Sequence, residues 1–462
     1  MNTNVATPVA PEIVAEFDRT LVNTAGGSVR HLVVTIRAPR QRPAADEPRT
    51  PLNLGLILDA SGSMAGRPLA ATKAAALNVV AALPETDHLT LVSFAEDVQL
   101  HAEAVRLDAE GRALITTLLR SLDTRGSTNL ADGWLGGCTS VARRHAVCDV
   151  IERNQVVLLS DGHANAGETR PQMLAKHANE LRQRGIVTST VGVGHNYSPT
   201  QLQAIAEAGG GRMHDAEEPG DIAQIVMAEL NDTLATVVDN LELRLTVPSG
   251  TQPEPYGTAP FTPTATGYDV LVGGMLGGAT RRVVIKLKCP AGEAASTLAI
   301  GLSARWTVPG DDKRYACDVA VPGLRFDAGN ACLAQPRDID VAKKVVEQWV
   351  AHVYYRAMVL NQDGDGQAAT RFVEQEITHL RRYCAGVPEL QEAIGGLDGF
   401  GSSVALQYTA HTSKEVMLRA YKLARGESNH RERETHDFAT LSAMEAAGRK
   451  AARNRRRDGD VK

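Results

Sequence analysis

The residue pattern predicts an α/β protein: a doubly wound, mostly parallel sheet inserted in an antiparallel β-sandwich and followed by a C-terminal helical region. Three observations carry this. Between residues 52 and 230, apolar runs of strand length alternate with segments whose apolar residues recur every three or four positions. After Asn231 the chain changes to short alternating runs separated by Gly, Pro, Asn and Asp. From Ile339 helical spacing returns. At 462 residues the chain exceeds one core, and about 150 residues per domain gives roughly three.

In order, EIVAEF and VRHLVVTIRAP (within 13 to 38) alternate as half-buried strands do, and the Pro-rich QRPAADEPRTP separates them from the α/β unit. Their pairing partners must therefore lie elsewhere in the chain. LGLILD, ending at Asp59, is a run apolar on both faces, as in a parallel sheet. A helix is expected from about Pro68 to Leu83, with Pro68 in its first turn. Strands come next at 88 to 94 and 97 to 103, then helices at 109 to 121 and 130 to 146. QVVLLSDG (155 to 162) repeats the opening design and ends in Asp161. RPQMLAKHANELRQRG, IVTSTVGVG, SPTQLQAIAEAGGG and DIAQIVMAEL read as helix, strand, helix, helix.

LELRLTV, YDVLVG, TRRVVIKLK, TLAIGLSARWTV and RYACDVAVP are the strands of the sandwich, which the early strands complete. Helices are expected over IDVAKKVVEQWVAHVYYRAMVL, TRFVEQEITHLRRYC and about Ser413 to Ala424. The predicted units are residues 1–44 (first sandwich strands), 45–235 (α/β unit), 236–332 (remaining sandwich), 333–428 (helices) and 429–462, a charged, disordered tail with a basic cluster from Arg449 to Arg457.

Composition narrows the function. A formal charge of -5 gives no reason to expect nucleic acid as the main partner. No apolar run approaches the ~20 residues that span a bilayer, and MNTNVATPVAPEIVAEF lacks a basic region followed by an apolar stretch. Six dispersed cysteines without CxxC spacing read as reduced, mostly buried thiols, so a cytoplasmic setting is expected.

The chemistry gathers at strand ends. Asp59, Ser61 and Ser63 form an oxygen-only cluster after the first α/β strand, suited to Mg²⁺, Mn²⁺ or Ca²⁺ rather than zinc. Thr128 lies in GSTNLADG and Asp161 comes directly after QVVLLS. In a parallel sheet all strand C-termini open on one edge, so these five side chains can meet around one ion. With some acting through water, they can fill five of six octahedral positions. Taken singly, each hydroxyl reads equally as a helix or turn cap.

DASGSM, GSTNL and LLSDG resemble the three motifs of the von Willebrand factor A-type domain, whose metal-ion-dependent adhesion site uses an Asp-x-Ser-x-Ser run, a threonine and an aspartate. These correspond to Asp59, Ser61, Ser63, Thr128 and Asp161, and the resemblance covers about residues 52 to 232. A strand pair before the unit and a sandwich after it also resemble inter-alpha-trypsin inhibitor heavy chains and bacterial and plant relatives. The resemblance implies that a Glu or Asp of a protein partner takes the sixth metal position. Loops Met64 to Arg67, Arg125 to Gly126 and His163 to Glu168 are candidates for the surround.

The expected function is thus divalent-cation-dependent protein binding or scaffolding, without enzymatic activity. The alternatives are a metal-dependent hydrolase, for which no general base or histidine-paired nucleophile is identifiable, and an accessory subunit of an ATPase or kinase/phosphatase system. NQDGDG (361 to 366) fails as an EF-hand, since Phe372 stands where Glu is needed. His163 reads as a polar surface histidine, and His195, His214 and Asp215 as loop residues. Trp349, Tyr354 and Tyr355 read as packing residues on one helix.

Overall fold

The structure is a computed structural model that describes residues 10–40, 49–148, 150–161, 166–194, 197, 199–311, 313–362, 366–394, 397, 400 and 410–425. Three strands come first, β1 (Glu12–Phe17), β2 (Leu21–Asn23) and β3 (Val29–Arg37). The α/β unit runs β4 (Leu52–Asp59), a 3-10 turn at Gly62–Met64, α1 (Arg67–Ala82), β5 (His88–Phe94), β6 (Val98–Arg106), α2 (Ala109–Ser121), α3 (Leu130–Val147), β7 (Arg153–Ser160), α4 (Pro171–Gln183), β8 (Ile186–Val193), α5 (Pro199–Ala208), β9 (Gly210–Ala216) and α6 (Ile222–Ala235). Then come β10 (Thr236–Thr246), β11 (Gln252–Tyr256), β12 (Phe261–Thr264), β13 (Gly267–Leu276), β14 (Thr280–Lys288), β15 (Thr297–Leu298), β16 (Gly301–Thr307), β17 (Arg314–Asp318) and β18 (Leu324–Asp327). Helices α7 (Gly329–Ala334), α8 (Ile339–Gln362), α9 (Gly366–Cys384), α10 (Pro388–Glu392) and α11 (Ala410–Arg425) complete the described chain. The predicted charged tail, His163, His195 and the centre of NQDGDG lie outside the described residues.

The α/β sheet has strand order β6-β5-β4-β7-β8-β9, with only β6 antiparallel. Each central strand is buried on both faces, and its residues divide by parity. Leu52, Leu54, Leu56 and Leu58 join the core made with α1, α2 and α6, while Ile57 joins the core with α3, α4 and α5. This is the doubly wound arrangement that the apolar runs predict. The chain order reverses between β4 and β7, the place where such sheets open a crevice beyond their strand C-termini. Helix α3 reaches the sheet closely because it carries glycines. A Cβ on Gly133 would stand 2.3 Å from the Phe94 ring.

Nine of the remaining strands pack as two antiparallel sheets, β1-β3-β14-β11 and β12-β13-β10-β16-β17, around one core. Strand β3 pairs with β14 from Val29↔Lys288 to Arg37↔Thr280, so strands from before the α/β unit complete a sheet made after it. A small third sheet joins β15, β18 and β2. The C-terminal helices cover the outer face of the first sheet. Val33, Tyr256 and Val284 share a core with residues of α8, α9 and α11.

Strand β1 is half-buried as expected, but for β3 the helical layer corrects that expectation. Leu32, Val34 and Ile36 face the sandwich core, while His31, Val33 and Thr35 are equally buried on the other side. There the His31 ring sits 5.8, 5.4 and 5.0 Å from the rings of Tyr256, Trp349 and Tyr383. Five strands escape the sequence pattern, and two of them, β2 and β18, are three and four residues long. Strands β11 and β12 contain proline, which sheets confine to edges, and both are edge strands. Strand β9, with sequence GGRMHDA, lacks an apolar run. His214 and Asp215 therefore lie in a strand and not in a loop.

Candidate functional site

Strand β4 delivers Asp59 to the carboxyl edge of the sheet at the switch point, fully buried. The next residues leave the strand and turn, which lets Ser61 and Ser63 follow the aspartate on one side. The Ser61 amide donates to Asp59 Oδ1 at 2.8 Å, and the Ser61 and Ser63 hydroxyls are 3.1 Å apart. The Ser63 hydroxyl donates to Asp161 Oδ1 at 2.8 Å, across 98 positions of sequence. Asp161 stands just beyond β7, the neighbour of β4. Four of the five expected residues thus form one bonded chain.

Thr128 reaches the same edge through its loop. The Arg125 amide donates to the Ala60 carbonyl at 2.6 Å, and the Gly62 amide to the Gly126 carbonyl at 3.0 Å. Ser61 and Arg125 form a parallel bridge. The Asn129 amide donates to the Ala95 carbonyl at 2.7 Å, and the Ala166 amide to the Thr128 carbonyl at 3.3 Å. Thr128 is buried between these ties. Arg125 adds side-chain bonds to Asp97 Oδ1 at 3.0 Å and Ser93 Oγ at 3.2 Å. Of the expected surround, Ala65 to Arg67 is exposed and Met64 is buried. Residues 162–165 lie outside the described chain.

Ser160 is the residue that sequence reasoning missed. Fully buried at the end of β7, it donates from Oγ to Asp59 Oδ2 at 2.6 Å. Both Asp59 oxygens therefore accept bonds, one from a backbone amide and one from this hydroxyl. The signal was present: Ser160 is the polar member of an otherwise apolar strand end, VVLLS.

The electrostatics of this edge differ from those of Asp18 and Glu229, two buried acids with cationic partners, and resemble those of Glu207, which burial raises to about 7. At Asp18 burial is opposed by hydrogen bonding and charge from His31, and the net value falls below the ordinary one. At Glu229, His214 and Arg212 likewise outweigh burial. At the candidate site the direction reverses. Burial raises Asp59 despite its bonds from Ser160 and Ser61. Burial, with the charge of Asp59 added, pushes Asp161 up to about 6 against the bond from Ser63. Two carboxyl groups held near each other without compensating positive charge are what a bound cation would relieve.

The donor set fits a hard divalent cation. It contains two carboxylates and three hydroxyls, with no sulfur or imidazole. Among the described residues no group of three or more His, Cys, Asp or Glu could hold a metal, so a cation here depends on the hydroxyls. The six cysteines are free, and four of them are buried. No helix among the described residues is long and apolar enough to cross a membrane.

Comparisons with known proteins agree with this architecture. The family profile of the von Willebrand factor type A domain matches residues 53–228. Human inter-alpha-trypsin inhibitor heavy chain H3 is 32% identical over 162 residues, which is 34% of this chain and 18% of the human protein. An uncharacterised Escherichia coli protein, YfbK, is 26% identical over 197 residues, covering 42% of this chain and 33% of its own length. The chain therefore spans a third or less of these relatives. Among solved structures, a von Willebrand factor type A protein from Catenulispora acidiphila superposes with a TM-score of 0.63 at 17% identity, covering 92% of this chain and 98% of that one. The ArnB paralog VWA2 from Sulfolobus acidocaldarius gives 0.56 at 13% identity, with 90% and 99% covered. At these identities the structural likeness is one of fold.

Proposed function

We propose that this chain, a von Willebrand factor type A domain protein, is a divalent-cation-dependent protein-binding or scaffold protein that captures an acidic residue of a partner. Asp59, Ser61, Ser63, Thr128 and Asp161 are the residues that would hold the cation, Mg²⁺ or else Mn²⁺ or Ca²⁺. Bound there, the cation supplies an electrophilic position that a Glu or Asp carboxylate from another protein can occupy.

One observation carries this reading: hydrogen bonds join Asp59, Ser61, Ser63 and Asp161 at one strand edge, where burial also pushes both carboxyl groups upward. A site rich in neutral hydroxyls leaves a divalent charge only partly offset, so an incoming carboxylate gains a charge-assisted bond. Near the surface such a bond is modest, and specificity must come from the loops around it. Arg67, Glu96 and Arg125 stand at this rim. Binding is favoured over hydrolysis because the Ser63 hydroxyl is bonded to Ser61 and Asp161, not to a histidine base. A cytoplasmic location completes the proposal.

The test is isothermal titration of the full chain with MgCl₂, for the native protein and for Asp161→Ala and Ser63→Ala. Saturable binding that both substitutions weaken by at least tenfold supports the site. Equal binding by all three sinks it. Metal-dependent hydrolysis of a generic ester or phosphate lost in the same variants would replace the binding reading with the enzymatic one.

A further inference from the structure

Three parts of the chain meet at one cleft. Helix α5 of the α/β unit brings Glu207 to it, and strand β14 of the sandwich brings Arg281 and Arg282. Helices α8 and α11 bring Gln348 and Arg425. The cleft opens to solvent and has a volume of about 50 Å³. At roughly 10–15 Å³ for one water, that is room for a few waters or for one tetrahedral oxyanion. Junctions between packed bodies are where small ligands preferentially bind.

The walls are fixed from several sides. Arg281, 8% exposed, donates from Nη1 to the Arg425 carbonyl at 3.5 Å. Gln348 donates from Nε2 to the Ala424 carbonyl at 3.0 Å, so the last turn of α11 is tied to both β14 and α8. Gly210 and Gly257 line the cleft at φ of +75° and +89°. Those left-handed positions favour glycine, and the wall there is bare backbone that a ligand can approach closely.

Charge selects the ligand. Among the described residues, the lining side chains carry three guanidinium groups and one carboxyl group, that of Glu207. Burial pushes Glu207 up to about 7, against bonds from Thr258 and Gln203 and the charge of Arg425. Its negative charge is therefore partly suppressed near neutral pH. Arg282 donates from Nη1 to Glu347 Oε2 at 3.1 Å, while its Nε is buried with no hydrogen-bond partner among the described residues. A smaller cleft alongside, which shares Gly210, Gly211 and Arg425, is balanced differently. There Arg153 pairs with Asp239 at 2.7 Å, and Arg212 pairs with Asp232. Guanidinium forks match the oxygens of phosphate, and a buried donor without an acceptor is costly until one arrives. Three such forks around a space of this size suit a tetrahedral dianion.

We propose that this cleft binds a dianionic phosphoryl group, free or as the end of a phosphomonoester whose remainder projects through the open side, held by Arg281, Arg282 and Arg425. The site is separate from the cation site, since none of its lining residues belongs there.

Titration calorimetry of the full native chain, stripped of metal and exchanged into EDTA-free buffer at pH 8, tests it with inorganic phosphate and with glycerol 3-phosphate. Saturable binding with a Kd below about 1 mM is expected for at least one of them. Tighter binding of the ester identifies a monoester as the source of the phosphoryl group, and tighter binding of inorganic phosphate identifies the free ion. Arg281→Gln and Arg282→Gln should each weaken binding at least tenfold. Arg314→Gln, which removes the same charge from an exposed position on β17 outside the cleft, should leave it within twofold. Glu207→Gln removes the carboxylate charge at this pH and should tighten binding. Arg281 is buried and Arg282 partly exposed, so Arg282→Gln decides if the other variant does not fold. The proposal is overturned if neither anion binds with a Kd below about 1 mM, if Arg282→Gln stays within twofold of the native chain, if Arg314→Gln loses as much, or if Glu207→Gln binds more weakly.

Discussion

Ser160→Ala tests how Asp59 is set. The substitution removes a single oxygen from a fully buried position, and that oxygen donates at 2.6 Å to a buried carboxylate. Hydrogen bonds to charged groups contribute about 1.5–3 kcal/mol, and losing a partner that orients a metal-ligating carboxylate lowers affinity about 10–100-fold. The two scales agree, because about 1.4 kcal/mol corresponds to a factor of ten. Titration calorimetry at pH 7.5 should therefore show Mg²⁺ binding by Ser160→Ala weakened by about one to two decades. Circular dichroism should show unchanged secondary structure. The change is smaller than deleting the carboxylate, so Asp59→Ala should weaken binding further. An affinity within twofold of the native protein would refute the reasoning: either the hydroxyl does not fix Asp59, or Asp59 does not serve the cation.

Three further outcomes are expected. Asp161 is raised to about 6 from 3.8, so in metal-free protein its contribution to stability is complete below about pH 4 and is lost as pH rises through about 6. Melting in EDTA should accordingly show this destabilisation on going from pH 4.5 to 7. Mg²⁺ should reverse it, with proton release on binding at pH 6 detectable by calorimetry in buffers of different ionisation enthalpy. Gly133→Ala places a methyl group against Phe94 and should destabilise the α/β unit by about 1–3 kcal/mol, read by urea unfolding. Leu32→Ala opens the sandwich core at a cost of about 2–5 kcal/mol. It should lower the melting temperature while leaving Mg²⁺ binding at 20 °C intact; loss of binding would mean that the α/β unit depends on the sandwich for its fold.

The doubly wound sheet was legible because both of its faces are covered by nearby helices, which forces continuous apolar runs such as LGLIL and QVVLL. The oxygen cluster was legible for a related reason: polar residues that end such runs stand out. Ser160 ends such a run too, but its role was not legible, since its partner Asp59 lies 101 positions away. Strand β3 was misread because the helices that bury its second face come from α8 onward, far along the chain. Strand β9 was missed because an edge strand covered by a helix needs few large side chains, and Gly210 and Gly211 meet the body of the protein closely instead. A Cβ on Gly211 would stand 2.2 Å from the Thr188 carbonyl.

The pairing of β3 with β14 has a consequence for synthesis. Arg37 leaves the ribosome long before Thr280, its partner in the ladder. With about 250 residues between them and elongation at about 5–20 residues per second, the early strand waits roughly 12–50 s for its neighbour. The α/β unit emerges whole within that interval, and small domains fold in far less time. The waiting segment includes LVVTI, a β-branched stretch of the type prone to mispair. The nascent chain is therefore most exposed to aggregation, and most in need of a holding chaperone, before the second half of the sandwich has been made.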